Sequence, residues 1–306
     1  MTMALAGCAI STGSPKPGLY GQLGTKAGQI PKDDPGVKFA FDRWWEMTGD
    51  FYPFTPDGEW FVVGAKPREI RLQIKSTDSS GKESTENDSA DSFDQAGRWV
   101  RGRHYSDGEY NVTELRYDGA NRLVAIKEFV EGRKQQTTTV KTMVYVREDL
   151  PTCYELDESG RVLRTVKQRF DQKRSVLSLF SAKRNDKTYA VTTLEFGDGG
   201  LKTKTQTIPA YGIHFQQKLI FAQEASRPAS FEWRSLKEGA EVLIQRKSFS
   251  YKDDRLVATE VTDPREPSNS YTAQFSNYDE HGNWLRELQR SPSGWSEQLS
   301  RSIDYF

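Results

Sequence analysis

The chain is predicted to be all-β: an antiparallel meander of β-hairpins forming a curved, extended or partly closed sheet, with at most short helices. Three observations support this. Apolar residues make up 35% of the 306 residues while aromatics reach 12% and charged residues 28%. That balance suits strands with at least one wet face better than a helical bundle rich in Ala and Leu. A short turn sequence recurs along the chain, and the segments beside its copies alternate β-branched or aromatic residues with polar ones. The length allows one large β domain or two smaller ones. We read a single β-rich domain over residues 37–306, preceded by a leader remnant at 1–8 and a tether at 9–36.

In chain order, residues 11–35 are rich in Gly, Pro, Ser and Lys without apolar periodicity, the composition of a flexible tether. Residues 37–92 form an aromatic-rich N-terminal part with Phe39, Phe41, Trp44, Trp45, Phe51, Tyr52, Phe54 and Trp60. These aromatics are expected to nucleate the core or to plug one end of the sheet. Residues 59–63 and 70–75 read as strands with a turn at 64–67 between them. The Ser-, Asp- and Glu-rich stretch 76–92 reads as a disordered loop. From 93 to 306 the hairpin array follows. Residues 135–146 read as a Thr/Val strand. Residues 161–170 read as a strand with Val162, Val166 and Phe170 on one face and Thr165, Lys167 and Arg169 on the other. Short helices are expected at 41–47 and 216–226, and turns at 197–200 and 263–267.

The recurring turn has a physical logic. Its copies are Phe93-Asp94-Gln95-Ala96-Gly97-Arg98, Tyr117-Asp118-Gly119-Ala120-Asn121-Arg122, Leu156-Asp157-Glu158-Ser159-Gly160-Arg161 and Tyr278-Asp279-Glu280-His281-Gly282-Asn283, with Tyr251-Lys252-Asp253-Asp254-Arg255 as a shortened relative. An aromatic residue or Leu ends a strand. The carboxylates of Asp94, Asp118, Asp157 and Asp279 can accept backbone N–H groups of a type I turn. Three residues on, Gly97, Asn121, Gly160 and Gly282 tolerate a positive φ. A type I turn followed by a left-handed residue is a hairpin loop with a bulge, so each copy is a predicted hairpin tip.

Composition excludes several functions. Lys plus Arg and Asp plus Glu each number 43, so no basic excess points to nucleic acid. No apolar run is long enough for a membrane-spanning helix. With two cysteines, Cys8 and Cys153, disulfide stapling does not hold the fold if Cys8 is modified. His104, His214 and His281 lack metal spacing. No phosphate loop or nucleophile elbow is present, and no carboxylate pair stands out. We therefore expect no enzyme, no metal and no cofactor.

Leu5-Ala6-Gly7-Cys8 resembles the processing site of a bacterial lipoprotein, in which the cysteine becomes a lipid-bearing N-terminus. Only Met1 to Ala4 precede it, so the apolar stretch of such a leader is expected upstream of Met1. Ala9 lacks the acidic residue linked to inner-membrane retention in that class. The resemblance thus implies an outer-membrane lipoprotein facing the periplasm or the cell surface. The Tyr-Asp turns, and the stretch from Tyr278-Asp279 through Gly282-Asn283-Trp284 to Ile303-Asp304-Tyr305, resemble the tyrosine-aspartate repeats of Rhs-type proteins and repeat-bearing envelope lipoproteins. The lipoprotein-like site, the hairpin array and the lack of catalytic residues together lead us to expect a lipid-anchored, non-catalytic protein-binding or scaffold module, an assembly component or a periplasmic toxin neutraliser, with a protein partner. An alternative is a carrier of an apolar ligand in a β-sheet groove. Trp44, Trp45, Trp60 and Trp284 are the candidate binding surface; buried tryptophans would favour a scaffold.

Overall fold

The computed structural model describes Thr55, Asp57, Gly58 and residues 62–306, apart from 86–88, 107, 133–137, 148–149, 184–188, 198–199, 209–211, 222–226 and 238–239. Cys8, the tether, the helix expected at 41–47, the aromatics from Phe39 to Phe54 and Trp60 lie outside the described residues.

The strands run in chain order as β1 (Pro67–Thr77), β2 (Glu83–Thr85), β3 (Ser89–Phe93), β4 (Trp99–Ser106), β5 (Glu109–Tyr117), β6 (Leu123–Glu131), β7 (Thr139–Arg147), β8 (Pro151–Leu156), β9 (Val162–Asp171) and β10 (Val176–Lys183). They continue as β11 (Tyr189–Gly197), β12 (Gly200–Ile208), β13 (Ile213–Phe221), β14 (Pro228–Lys237), β15 (Ala240–Lys252), β16 (Arg255–Thr262), β17 (Tyr271–Tyr278), β18 (Trp284–Arg290) and β19 (Ser296–Tyr305). From β3 onward each strand pairs antiparallel with its neighbour in sequence. β1 then pairs with β19 on one side and with β2 and β3, one after the other, on the other side. The meander closes into an 18-strand barrel. Closure leaves no long free edge for another chain to extend. Among the described residues the only helical turn is the three-residue Pro267–Asn269.

Several expectations are corrected. Residues 76–92 are not a disordered loop: β1 runs on to Thr77, and β2 and β3 occupy the second half of the stretch. The helix expected at 216–226 is instead the strand β13, whose residues up to Phe221 pair with β12 and β14. Gln216, Gln217, Lys218 and Leu219 favour a helix locally, but pairing with strands on both sides overrides that preference. Val62 and Val63 are not in a strand. Val162 pairs with Leu156 across a bulge, which turns it to the face opposite Val166.

The register follows two unbroken faces around the ring. One carries Ile70, Leu72, Leu115, Ile126, Met143, Cys153, Val166, Leu177, Leu179, Leu194, Leu219, Phe231, Phe249, Val261, Ala273, Phe275 and Leu299, all buried. The other carries Arg71, Gln73 and Lys75 on β1, Lys127 on β6, Arg246, Ser248 and Ser250 on β15, and Gln274 on β17, all exposed. A closed ring has one concave side, so the face with these buried apolar residues is the inner wall; the same register puts the Arg164–Glu155 pair, Lys204, Gln217 and Glu287 there too, and the other face points outward. Two apolar clusters cover that wall, one on β5 to β11 and one on β13 to β18. The outer face departs from this rule at Val112 on β5 and over β7 to β10, where Val146, Tyr154, Leu156, Val162, Lys167 and Phe180 are buried.

The aspartate turns are hairpin tips. Asp118 Oδ1 accepts the N–H groups of Ala120 and Arg122, each at 2.9 Å, and Arg122 returns its guanidinium to Oδ2 at 2.6 Å. Asp94, Asp157 and Asp279 accept the same two backbone donors in their turns. Asn121, at φ 65°, and Gly97, Gly160 and Gly282, at φ 73° to 84°, supply the left-handed residue. Two further copies escaped the pattern: Asp78 with Gly81, and Ser291, a serine version, with Gly294. Asp253 and Asp254, at φ 47° and 63°, make a two-residue I′ turn instead.

Burial opposes ionisation of Asp118, but the Arg122 hydrogen bonds hold its carboxyl below the usual range. Asp118→Ala should lower the unfolding free energy by about 1–2 kcal/mol, since it removes two N–H acceptors and the arginine pair. Gly282→Ala, at φ 84°, should cost about 1 kcal/mol. Urea unfolding followed by circular dichroism checks both.

Candidate functional site

The sequence-predicted residues are dispersed by the meander. Hairpin turns alternate between the two rims of the barrel. Asp94/Gly97, Asp118/Asn121 and Asp279/Gly282 share one rim, together with the Asp253-Asp254 turn. Asp157/Gly160 lies on the opposite rim, because β6 to β7 and β7 to β8 intervene. On the first rim the turns are stitched to one another. The Arg98 guanidinium lies over the Tyr117 ring at 4.6 Å, and the Tyr117 hydroxyl donates to the Trp99 carbonyl at 2.9 Å. The same two contacts join Arg122 and Leu123 to Tyr145, at 4.7 and 2.6 Å, Arg227 and Pro228 to Tyr251, at 5.7 and 3.0 Å, and Arg255 and Leu256 to Tyr278, at 5.2 and 2.6 Å. In the last copy Asn283 stands where the arginine would be. Its amide donates to the Tyr305 hydroxyl at 2.9 Å, and that hydroxyl bonds Asp279. Asn283 also takes the Val63 N–H at 2.7 Å and donates to the Val63 carbonyl at 3.0 Å. The chain leading into β1 is thereby pinned to this rim.

Trp284, expected on a binding surface, is buried. It packs on Phe275 with ring centroids 5.3 Å apart, and the Arg301 guanidinium lies 3.9 Å over its face. Trp44, Trp45 and Trp60 lie outside the described residues.

The strongest cluster of ionisable groups sits on the inner wall and was not read from the sequence. β15 turns Lys247, in phase with Phe249 and Tyr251, toward the inside. There Lys247 Nζ meets Asp57 Oδ2 at 2.7 Å, with side-chain exposures of only 1% and 4%. Asp57 belongs to a turn closed by the Gly58 N–H on the Thr55 carbonyl at 2.7 Å, and Thr55, Asp57 and Gly58 are all buried. This turn is not a strand of the barrel, so a non-sheet part of the chain reaches the inner wall. From β18, Glu287 faces the same region and accepts from Gln289 Nε2 at 2.8 Å. Burial pushes the Glu287 carboxyl up to about 8; the Gln289 hydrogen bond and Lys247 hold it down, while Asp57 and Glu297 push it further up. Tyr271 and Tyr251 are raised by burial. The observed pair is the Lys247 ammonium on the Asp57 carboxylate, with Glu287 held by Gln289. It can hold a polypeptide segment through a desolvated ion pair, and it offers no activated nucleophile.

A second inner-wall cluster joins β3 and β4. Asp91 Oδ1 accepts Trp99 Nε1 at 2.8 Å and lies 3.0 Å from His104 Nε2. Gly102 is required between them, since a Cβ there would lie 2.4 Å from the Trp99 ring. Among the described residues no group of three His, Cys, Asp or Glu side chains could hold a metal ion.

No protein-family model matches the chain, and no curated protein matches it. Among solved structures, it is similar to a porin-like protein from Bacteroides uniformis ATCC 8492, with a TM-score of 0.41, 9% identity and coverage of 79% of this chain and 98% of that one. It is also similar to a porin-like protein from Bacteroides vulgatus ATCC 8482, with a TM-score of 0.32, 10% identity and coverage of 80% and 99%. At such scores the likeness does not bear on function. What fold and site define on their own is a closed antiparallel β-barrel whose inner wall combines apolar clusters with buried ionisable groups and whose outer face is largely polar.

Removing one partner of the buried pair strands the other in a low-dielectric site. Asp57→Ala or Lys247→Ala should each destabilise by about 3–5 kcal/mol, whereas the double change Asp57→Leu with Lys247→Met should cost much less. Chemical denaturation of the three variants tests this.

Proposed function

We propose that this chain is a lipid-anchored, non-catalytic protein of the bacterial envelope whose barrel serves as a protein-binding scaffold in the water beside the membrane. The polarity of the ring is the observation that carries the reading. A barrel embedded in lipid needs an apolar outward band flanked by aromatic girdles, and each Arg or Lys at mid-membrane costs about 2–4 kcal/mol. Here the outward face holds ion-pair ladders instead: Arg103 with Glu131 at 2.6 Å, and Glu232 between Arg234 and Arg246 at 2.7 Å each. Such a surface favours a solvated barrel. An anchor outside the barrel would then supply membrane attachment, which is the role we give Cys8. The buried Trp284 and the absence of an activated nucleophile in either inner-wall cluster favour a scaffold over an enzyme. The rim of stacked arginines and tyrosines supports kinship with tyrosine-aspartate repeat proteins.

A second reading, carriage of an apolar ligand, is favoured by one observation: the inner wall presents two separate apolar clusters. Native mass spectrometry of protein extracted from membranes distinguishes the readings, because a carrier retains lipid mass and a scaffold does not.

Cys8→Ala should move the protein from the membrane fraction to the soluble fraction with an unchanged β-sheet circular dichroism spectrum. Cross-linking in intact envelopes should return one stoichiometric protein partner. Retention of the Cys8→Ala protein in the membrane would overturn the anchoring role.

A further inference from the structure

Beside the seam, at the rim opposite the stitched aspartate turns, two hairpin tips meet. The Asp78–Gly81 tip joins β1 to β2, and the Ser291–Gly294 tip joins β18 to β19. They abut: a Cβ on Gly294 would lie 3.7 Å from Ser79 Cβ. The strand ends that lead into these tips line an open cleft of about 480 Å³. We infer that this cleft binds carbohydrate, and that its ligand is a neutral oligosaccharide of gluco-type pyranose rings stacked on Trp295.

The aromatic wall carries the first part of the argument. Trp295 borders the cleft and is half-buried. Tyr271 braces its ring, with centroids 5.7 Å apart and planes tilted by 55°. The Ser291 N–H holds its carbonyl at 3.0 Å, so the turn fixes the residue from the backbone as well. An indole kept at a wet edge offers an apolar ring beside a polar tip.

The rest of the lining is polar and complements hydroxyl groups. In the register Ser76 lies between Ser84 on β2 and Glu297 on β19. These three share the inner-wall phase with Leu72 and Ile74. Thr77 and Ser296, paired one residue on, belong to the outer phase, so the cleft straddles the lip of the barrel. Glu297 Oε2 accepts the Ser76 hydroxyl at 3.2 Å, which orients both groups. Asp78 caps its own turn through Oδ1 alone, at 2.6 to 3.0 Å. Among the described residues its Oδ2 therefore stays available as an acceptor. Lys82 is exposed and forms no ion pair with any described residue; it adds ammonium donors to that acceptor.

This mixture selects among ligand classes. A hydrocarbon chain would strip water from Asp78, Lys82 and Glu297 and offer no hydrogen bond in return. A phosphate would meet two carboxylates, and a bare cation would meet Lys82. A pyranose ring incurs neither penalty. Each of its hydroxyls both donates and accepts, which suits hydroxyls, carboxylates and an ammonium together. When its substituents are equatorial, its axial C–H groups form an apolar face that matches an indole. The cleft has the volume of a small-ligand site, and its open side leaves room for further sugar units. The inference concerns one lip of the barrel and does not depend on the envelope reading.

Titration of the isotope-labelled full-length protein with cellobiose and with N,N′-diacetylchitobiose tests the site. The indole N–H resonance of Trp295, assigned by its loss in Trp295→Phe, should shift saturably with at least one of them, with a dissociation constant on the order of 1 mM. Mannitol, an acyclic polyol without a stacking face, should leave the resonance in place. Saturation-transfer NMR observed on the sugar then compares variants. Trp295→Ala should weaken binding by about tenfold or more, Trp295→Phe by no more than about threefold, and Lys82→Ala by about threefold. Circular dichroism shows that each variant is folded, and the exposed Lys82 keeps the test decisive if Trp295→Ala is not. No saturable shift with either disaccharide, an equal shift with mannitol, or undiminished binding in the folded Trp295→Ala or Lys82→Ala protein would each overturn the inference.

Discussion

The pairing of β1 with β19 is the contact on which the rest of the structure depends. Residues 67–77 meet residues 296–305 across nearly the whole chain length. Without that seam the meander would be an open, twisted sheet with two long edges, and neither face would be concave. With it, alternation along every strand acquires a meaning: one phase becomes a wall facing inward and the other becomes a surface. Ile70 and Leu72 are buried while Arg71 and Gln73, one residue away, are exposed. The seam also explains why the chain between Thr55 and β1 matters. It carries Asp57 on the inside and ties Val63 to Asn283 at the rim, next to where the ring closes.

The turns and the seam divide the work of specifying the barrel. Each aspartate tip fixes the register of its own two strands by capping backbone donors and placing a left-handed residue. The arginine after the tip then lies over a tyrosine of the next hairpin, and the tyrosine hydroxyl bonds the carbonyl beside that arginine. Local turn chemistry is thereby coupled to its neighbour around one rim. These contacts are individually modest, but they recur at Tyr117, Tyr145, Tyr251 and Tyr278, so they favour one hairpin order over a slipped one. The Asp157 tip falls on the other rim, where its apolar pair Leu156 and Val162 faces outward and is buried there.

Interior charge is the second constraint. A wall built from Leu, Val and Phe excludes water, so any ionisable group placed on it must find a partner or change its proton affinity. Lys247 and Asp57 take the first course, and Glu287 takes the second. On the outer face the pairs are partly exposed, as in Arg103 with Glu131, or screened on one side only, as in the buried Glu232 between the more exposed Arg234 and Arg246.

How much was legible in the sequence follows from how local each cause is. The all-β class, the aspartate tips at Asp94, Asp118, Asp157 and Asp279, and the strands around them were readable because turn type, positive φ and period-two alternation are written within a few residues. Asp78 and Ser291 use the same turn but lack the aromatic residue before it, so the pattern passed over them. Gln216 to Leu219 favour a helix on local propensity, and only the strand pairing on both sides overrides it. The inner-wall site was not legible: nothing within β15 or β18 distinguishes Lys247 and Glu287 from the many charged residues that face water. Their inward direction depends on which face of the ring is concave. The contact of Lys247 with Asp57 joins residues 190 positions apart. By itself the sequence determined the hairpins, because their energetics are local; only the closed tertiary structure decided which charges were buried together, because burial is a property of the ring and of no single strand.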